Sequence, residues 1–189
     1  MEKLKQAILE FGVVQKGELL QLDALLTHQV DPQLIMEMGR EFARRFEGDH
    51  ITRVVTIEAS GIPIALATAY ELGVPMVFAR RKKTLITDED SYCERVPSFA
   101  KGIVTDLVLS KRMVHATDRV LVIDDIIANG HAAGALMRIL RQAGCQIAGF
   151  GVAVEKAFQP GGSMLRAEGI RIEALATIQS LEDGRIRFA

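Results

Sequence analysis

Short, largely apolar runs recur along this chain, and most are followed by a turn and then by a stretch with helical periodicity. The runs are Val54–Ile57, Val74–Ala79, Val120–Ile123, Gln146–Val154 and Ile170–Ile178. Strands that are apolar on both faces are typical of a parallel sheet that helices cover on both sides. The pattern therefore predicts an α/β fold, and it predicts that ligands bind at the carboxyl ends of the strands.

The helices are predicted from the spacing of apolar residues and from capping residues. A short helix near the N-terminus is expected to end at Gly12. Asp31 and Pro32 mark the start of a second helix, because aspartate caps a first turn and proline fits its first position. Two more helices are predicted, at about 63–72 and 131–143. We see no linker or repeat, so we expect a single domain over residues 1–189.

Charge and cysteine usage narrow the classes of partner. The formal net charge is −1, so no global basic field exists to hold a nucleic acid or an anionic membrane, and we expect neither as a partner. The two cysteines, Cys93 and Cys145, are too far apart in sequence for a Cys-x-x-Cys site, and we expect reduced thiols. The longest nearly apolar stretch, 59–70, is too short to span a bilayer. A cytoplasmic protein is expected.

Two adjacent carboxylates follow the apolar run that ends at Ile123. Asp124 and Asp125 precede a small-residue turn with Gly130, after which a helix begins. Backbone amides at a helix start bind phosphate, and carboxylates accept hydrogen bonds from sugar hydroxyls. A ribose phosphate would satisfy both groups. The alternative is an aspartate pair that only ends a strand and caps a helix.

A second candidate anion site follows the strand that ends at Ile57. Small residues at Ser60 and Gly61 let backbone amides approach an anion closely, although such turns are also common without a ligand. Arg80 directly follows another strand and is the first residue of a basic run. Such a run could bind the oxygens of an anion, and the alternative is a solvated surface without a ligand. Arg80 belongs to a long polar segment, 80–101, that we interpret as a lid loop or as a mobile surface excursion.

A candidate base pocket lies near the end of the run that ends at Val154. The Lys156 ammonium could donate to the exocyclic oxygen of a 6-oxopurine, whereas it could not donate favourably to the amino group of adenine. Phe158 offers a ring face against which a base could stack. The alternatives are an ordinary lysine at a strand end and a phenylalanine packed in the core.

These segments together resemble the type I phosphoribosyltransferases. Residues 120–132 resemble the ribose 5-phosphate motif of that family, and the stretch 155–161 is similar to that of the members that use xanthine. The resemblance implies the family's parallel sheet flanked by helices. It also implies a small N-terminal hood at about 1–35 and a long flexible loop at about 80–101 that closes over the site.

The resemblance also implies a role for individual residues. Asp124 and Asp125 would hold the ribose and act in catalysis. The 5′-phosphate would bind Ala128, Asn129, Gly130, His131 and Ala132, and the pyrophosphate would bind Ser60, Gly61 and Arg80. The purine base would contact Leu20, Thr27, Lys156 and Phe158.

The reaction implied is transfer of phosphoribosyl from 5-phosphoribosyl 1-pyrophosphate to xanthine, in purine salvage. Mg²⁺ would be carried mainly by the pyrophosphate, without metal ligands from the protein. A homodimer is implied. Guanine or hypoxanthine as the main base remains an alternative, since Lys156 suits all three 6-oxopurines. A regulator that senses the same phosphoribosyl ligand is the alternative of another class, but it would need a basic nucleic-acid surface.

Overall fold

A computed structural model describes residues 1–15, 19–82, 90–98 and 103–189. Within these ranges the helices are α1 (Glu2–Phe11), α2 (Pro32–Arg45), α3 (Ile62–Leu72), α4 (His131–Gln142) and α5 (Pro160–Ala167). The strands are β1 (Val13–Gln15), β2 (Leu19–Gln21), β3 (Arg53–Ile57), β4 (Met76–Lys82), β5 (Ser91–Ser98), β6 (Ile103–Ser110), β7 (Arg119–Ile127), β8 (Gln146–Lys156), β9 (Ile172–Ser180) and β10 (Arg187–Phe188). None of the described helices is long and apolar enough to cross a membrane.

The main sheet has the order β10-β9-β8-β7-β3-β4-β6-β5. Its five middle strands, from β9 to β4, run parallel, which confirms the α/β fold and the parallel sheet predicted from the apolar runs. The strands at the two edges are antiparallel: β6 pairs with β4 and with β5, and β10 pairs with β9. The sequence analysis did not predict these edge strands.

The expectation of a loop over residues 80–101 is wrong for residues 80–82 and 91–98, which belong to β4 and β5. The polar side chains of β5 suggested a loop, but Glu94 faces a helix. Its carboxylate accepts from Arg138 Nε at 2.9 Å and from Gln142 Nε2 at 2.6 Å, both on α4. The remaining parts of that expected loop, 83–89 and 99–101, lie outside the described residues.

Helices cover both faces of the sheet, as predicted. Apolar residues of α1, α2 and α3 form one buried cluster with the sheet, and those of α4 and α5 form another on the opposite face. The predicted cap of α2 is confirmed, because Asp31 Oδ1 accepts from the backbone nitrogens of Gln33 at 2.8 Å and Leu34 at 3.2 Å. The predicted start of α4 at His131 is also confirmed, and α3 begins at Ile62, one residue before the prediction.

Two glycines of β8 admit aromatic side chains of α2 into the core. A Cβ on Gly149 would lie 2.5 Å from a carbon of the Phe46 ring, and a Cβ on Gly151 would lie 2.8 Å from a carbon of the Phe42 ring. Both phenylalanines are fully buried. The two glycines therefore set how closely α2 approaches the sheet.

The N-terminal segment forms a small layer on the face that carries α1 and α2. The hairpin β1–β2 is followed by one π-helical turn, Asp23–Thr27, and Leu20, Leu22, Leu25 and Leu26 are buried in the same cluster as α2. This layer corresponds to the segment for which the sequence analysis predicts a hood. Its leucines fix it to the body of the protein.

The contact between α2 and α3 depends on Gly39. A Cβ at this position would lie 2.6 Å from both the carbonyl carbon and the Cβ of Ala67 on α3. Gly134 on α4 is also helical, but a Cβ there would meet only the side-chain Nη1 of Arg138, at the ordinary contact distance of 3.6 Å.

We predict opposite effects of alanine at these two helical glycines. Gly39→Ala should lower the free energy of unfolding by about 1–3 kcal/mol, because α2 and α3 must separate. Gly134→Ala should leave it unchanged or raise it by up to about 1 kcal/mol, because alanine favours the helix. Urea unfolding of both variants measures the difference. Equal stabilities would contradict the close helix contact described here.

Candidate functional site

The candidate site lies where the direction of chain progression through the sheet reverses. From β3 the chain continues to β4 on one side, and from β7 it continues to β8 on the other, while β3 and β7 are themselves neighbours. The carboxyl ends of adjacent strands diverge at such a point, and open α/β sheets bind ligands there. Asp124, the loop after Ile57 and the turn at 128–132 all lie at the carboxyl ends of these central strands.

A cavity of about 270 Å³ opens at the carboxyl ends of these strands. It is lined by Arg81, Val96, Pro97, Asp124, Ile126, Ile127, Ala128, Asn129, Gly130, His131, Ala132 and Ala133. Asp124 and the whole predicted phosphate turn thus share one cavity. Asp125 is not among the residues that line it.

The two aspartates lie inside β7, which continues to Ile127, and not after the strand as the sequence suggested. Asp124 Oδ1 accepts from the backbone nitrogen of Asp125 at 3.0 Å. Burial raises the pKa of Asp124 well above its ordinary value of 3.8, and the adjacent Asp125 carboxylate raises it further, while Arg81 opposes this. Ionisation of Asp124 therefore lowers the stability of the fold. A ligand that donates hydrogen bonds to the carboxylate would reduce this loss.

Two glycines hold the phosphate turn against the start of α5. Gly130 has a φ of +78°, which favours glycine, and a Cβ there would lie 2.7 Å from Gly161 Cα. A Cβ on Gly161 would lie 2.4 Å from the carbonyl oxygen of Ala128, which accepts from Gly161 N at 2.9 Å. Residues 128–132 are thereby fixed at the N-terminus of α4, where the helix dipole favours an anion.

The loop after β3 packs against Asp124. A Cβ on Gly61 would lie 2.7 Å from Asp124 Oδ1, so only glycine allows this approach. Ser60 lies partly exposed beside it. The loop begins at Glu58, whose carboxylate accepts from the backbone nitrogen of Arg81 at 2.8 Å and forms an ion pair with Arg80 at 3.2 Å.

Arg81 lines the cavity, whereas the sequence analysis favoured Arg80. Because β4 continues to Lys82, Arg81 lies on the same side of the strand as the buried Ala79, and Arg80 lies on the other. The side chain of Arg80 is largely exposed and paired with Glu58. The spacing of two residues from Ala79 was the signal in the sequence that could have identified Arg81.

The predicted base residues lie at the end of β8 and just after it. Lys156 is buried, with an exposed fraction of 6%. The residue before it, Glu155, faces the other side, where Arg166 of α5 binds both of its carboxylate oxygens, at 2.5 and 2.8 Å. Phe158 is partly buried and packs against the cluster that contains Leu20. The ion pair between the buried Glu155 and the partly exposed Arg166 thus fixes the end of β8 from which Lys156 projects.

Thr27 lies apart from the cavity at the end of the π-helical turn. It is exposed, and its hydroxyl donates to Asp23 Oδ1 at 2.7 Å. Leu20, the other predicted hood residue, is buried. The structure therefore brings together Asp124, Gly61 and residues 128–132, while the predicted base contacts of Leu20 and Thr27 remain predictions.

The cavity also has a wall that sequence reasoning missed. Val96 and Pro97 of β5 line it together with the phosphate turn. In β6, the partner of β5, Leu107 and Leu109 are buried with a period of two, which is a strand signal that the sequence offered. Among the described residues, no group of three His, Cys, Asp or Glu side chains is placed to hold a metal ion.

Comparison with known proteins gives concordant matches. The family model described as phosphoribosyl transferase domain matches residues 23–161. The chain is 50% identical over 188 residues to a xanthine phosphoribosyltransferase of Bacillus cytotoxicus, covering 100% of this chain and 95% of that protein. It is 48% identical over 188 residues to a xanthine phosphoribosyltransferase of Ectopseudomonas mendocina, covering 100% of this chain and 99% of that protein.

Solved structures with a similar fold include two adenine phosphoribosyltransferases. That of Rhodothermus marinus is 26% identical, with a TM-score of 0.73, covering 94% of this chain and 97% of that chain. That of Saccharomyces cerevisiae is 21% identical, with a TM-score of 0.75, covering 93% of this chain and 99% of that chain. The second likeness concerns the fold alone.

Two carboxylates, Asp118 just before β7 and Asp124 within it, provide a test of the electrostatics. Burial raises the pKa of Asp124. Burial also opposes ionisation of Asp118, but hydrogen bonds from His115 N, Arg53 and Thr52 lower its pKa below 3.8. The folded state therefore binds a proton more tightly than the unfolded state at Asp124, and less tightly at Asp118.

We predict that the two corresponding asparagine variants shift stability in opposite directions at pH 8. Asp124→Asn should raise the free energy of unfolding by about 1 kcal/mol, because it removes a carboxyl group whose ionisation destabilises the folded state. This destabilisation grows as pH rises from 3.8, the ordinary pKa, to the raised pKa of the folded state. Asp118→Asn should lower it by about 1–3 kcal/mol, a loss that shrinks as pH falls through the lowered folded pKa. Urea unfolding at pH 4 and pH 8 measures both. A loss of stability in Asp124→Asn at pH 8 would contradict this description.

Proposed function

This chain belongs to the family of the phosphoribosyl transferase domain, and we propose that it forms xanthosine 5′-monophosphate and pyrophosphate from xanthine and 5-phosphoribosyl 1-pyrophosphate. The relatives that match over the whole chain carry the name of this reaction. It is a step of purine salvage. We propose the cytoplasm as its location, because two cysteines in 189 residues suit a reducing compartment.

The observation that carries the proposal is the single cavity shared by Asp124 and residues 128–132. That turn leads into the N-terminus of α4, where backbone amides and the helix dipole favour an anion, and it suits the 5′-phosphate. The Asp124 carboxylate suits the ribose hydroxyls of the same substrate. The Arg81 guanidinium lies on the wall near Asp124 and suits the pyrophosphate, whose oxygens a planar fork can bind.

The reaction needs no covalent bond to the protein. A ring nitrogen of the purine attacks C1′ of the ribose as the bond from C1′ to the pyrophosphate oxygen breaks, and the nitrogen loses its proton. Positive charge develops at C1′, and the carboxylate of Asp124 in the cavity stabilises it, with the charge of the adjacent Asp125 acting at longer range. Holding both substrates in line contributes up to about 7–11 kcal/mol in well-oriented cases. Val96 and Pro97 exclude water from one side of the cavity.

The buried Lys156 carries the choice of base. Its ammonium donates to the O6 atom of a 6-oxopurine, and the ring of Phe158 supports the base. Leu20 and Thr27 of the hood complete the pocket in this proposal. Xanthine, guanine and hypoxanthine all present O6, so they differ in what contacts position 2 of the ring.

Mg²⁺ fits this site as an ion that arrives bound to the pyrophosphate. The part of the chain that the structure describes offers no three-residue metal cluster, and Mg²⁺ commonly keeps water and substrate phosphates as its ligands. When bound, the ion neutralises charge on the leaving pyrophosphate. The protein's own part is to place Arg81 and the amides of the loop at Gly61 around that group.

A base panel tests the proposed reaction. Pyrophosphate release from 5-phosphoribosyl 1-pyrophosphate and Mg²⁺ should show the highest kcat/KM with xanthine, and at least about a hundredfold less with adenine, which offers no O6 to Lys156. Equal rates with guanine or hypoxanthine would keep the reaction and refute the preference for xanthine. Ligand binding without turnover of any base would favour a regulator.

Asp124→Ala/Asp125→Ala should lower kcat/KM by about a hundredfold or more in the same assay, because the charge at C1′ loses its partners. The control is Glu47→Ala, which removes an exposed carboxylate beyond the end of α2, away from the cavity. Full turnover of the double variant would contradict the assignment of the ribose site.

We also propose that the protein is a homodimer. An apolar groove between α2 and α3 supports this, lined by Val30, Pro32, Ile35, Met36, Pro63, Leu66, Ala67 and Tyr70. Leu66 is 57% exposed and Tyr70 is 74% exposed. Clustered exposed apolar side chains of this kind are typical of protein interfaces.

Light scattering during size-exclusion chromatography tests the homodimer. The wild-type mass should be twice the 20.7 kDa of one chain. Leu66→Glu should give the mass of one chain, because a charge cannot be buried unpaired in the interface. Leu9→Glu is the matched control, since Leu9 on α1 is 58% exposed and lies outside the groove. A monomeric wild type, or equal effects of the two variants, would contradict this interface.

A further inference from the structure

Thr56 carries a buried hydroxyl group that the reaction described above does not use. It lies in β3, two residues before the loop that approaches Asp124, and its side chain is fully buried. Within the described ranges, Thr56 Oγ1 has no hydrogen-bond partner. Thr68 in α3 is equally buried, but its hydroxyl donates to the carbonyl oxygen of Ile64 at 2.9 Å. A buried hydroxyl without a partner is costly and calls for an explanation.

The Thr56 hydroxyl points to the same place as the carboxylate of Asp124. A Cβ built on Gly61 would lie 2.3 Å from Thr56 Oγ1 and 2.7 Å from Asp124 Oδ1. The two oxygens therefore lie on the same side of Gly61, close to one another, and no side chain separates them because residue 61 has none. Thr56 belongs to β3 and Asp124 to the neighbouring β7, so rotation of either side chain about its own bonds would bring the two oxygens into hydrogen-bond contact.

Asp124 has the acceptor capacity for this contact. Its Oδ1 already accepts from the backbone nitrogen of Asp125, and a carboxylate oxygen has a second lone pair. Two charged groups act on the pKa of Asp124: Asp125, whose charge disfavours ionisation of Asp124, and Arg81, whose charge favours it. A hydroxyl that donates to the carboxylate would act in the same direction as Arg81.

We propose that Thr56 is a positioning residue for Asp124, whose hydroxyl donates to Asp124 Oδ1 when the ribose of the phosphoribosyl substrate occupies the cavity. The proposal rests on the proposed function only in that Asp124 binds this substrate. The donated hydrogen bond holds the carboxylate ionised and aimed at the ribose hydroxyls. Among the described residues this hydroxyl has no partner in the free protein, so its contribution appears in ligand binding and not in folding.

The test compares three variants of the whole protein. Thr56→Val keeps the shape of the side chain and removes the hydroxyl, whereas Thr56→Ser keeps the hydroxyl. Thr68→Val is the control, because it removes a hydroxyl that is also fully buried but lies away from the cavity. Calorimetry measures the Kd for 5-phosphoribosyl 1-pyrophosphate with Mg²⁺ across pH. The assay measures the pH profile of kcat/KM for the same substrate, and a thermal melt measures Tm.

Thr56→Val should weaken the binding of 5-phosphoribosyl 1-pyrophosphate about tenfold near neutral pH, the effect of one hydrogen bond to a charged group. It should move the acidic limb of the pH profile up by about one pH unit, because the ionised form of Asp124 loses a donor. Its Tm should equal or exceed that of the wild type. Thr56→Ser should restore binding to within about twofold of the wild type, and Thr68→Val should leave both binding and the pH profile unchanged.

Wild-type binding and an unshifted pH profile in Thr56→Val would overturn the proposal. Failure of Thr56→Ser to restore binding would also overturn it, because the methyl group and not the hydroxyl would then matter. If the wild type binds the phosphoribosyl substrate but turns over no purine base, the proposed function fails, and the binding measurements still decide the role of Thr56.

Discussion

The site depends on close contacts between backbone segments at the carboxyl ends of β3, β7 and β8. Gly130 and Gly161 lie so near each other that neither position has room for a Cβ, and Gly61 lies equally close to Asp124. Because each segment continues a buried parallel strand, the sheet register fixes where the segments start, and the glycines fix how closely they meet. The cavity is what remains between them, and its shape follows from these contacts.

The carboxylates at the two ends of β7 have opposite surroundings. Near the amino end, Asp118 accepts hydrogen bonds from three neighbours and stabilises the fold. Near the carboxyl end, Asp124 lies beside another aspartate and near the hydroxyl of Thr56, which has no hydrogen-bond partner within the described part of the chain. Local conflicts of this kind are expected where a protein leaves polar groups for a ligand to satisfy. The amino end of the sheet therefore supports the fold, and the carboxyl end serves the ligand.

The parallel core and the phosphate turn were predictable because long apolar runs and a helix start give strong local signals. The aspartates, residues 128–132 and the cap at Asp31 follow from such signals. The contact of Gly161 with the phosphate turn gave no such local signal, because it depends on packing between distant segments. The position of Arg81 in the cavity wall depends on where β4 ends, which the apolar run did not show. The strand β5 was missed because Glu94 looks solvated until Arg138 and Gln142 of α4 are seen to bind it.

Pro97, described above as part of the cavity wall, also has a consequence for association between molecules. It lies in β5, at one edge of the main sheet, where backbone groups not used by β6 face outward. Proline has no amide hydrogen to donate, so another extended chain that paired along this edge would lack a ladder hydrogen bond at this position. The residue that shapes a wall of the cavity thus also protects the sheet against adding strands and growing into aggregates.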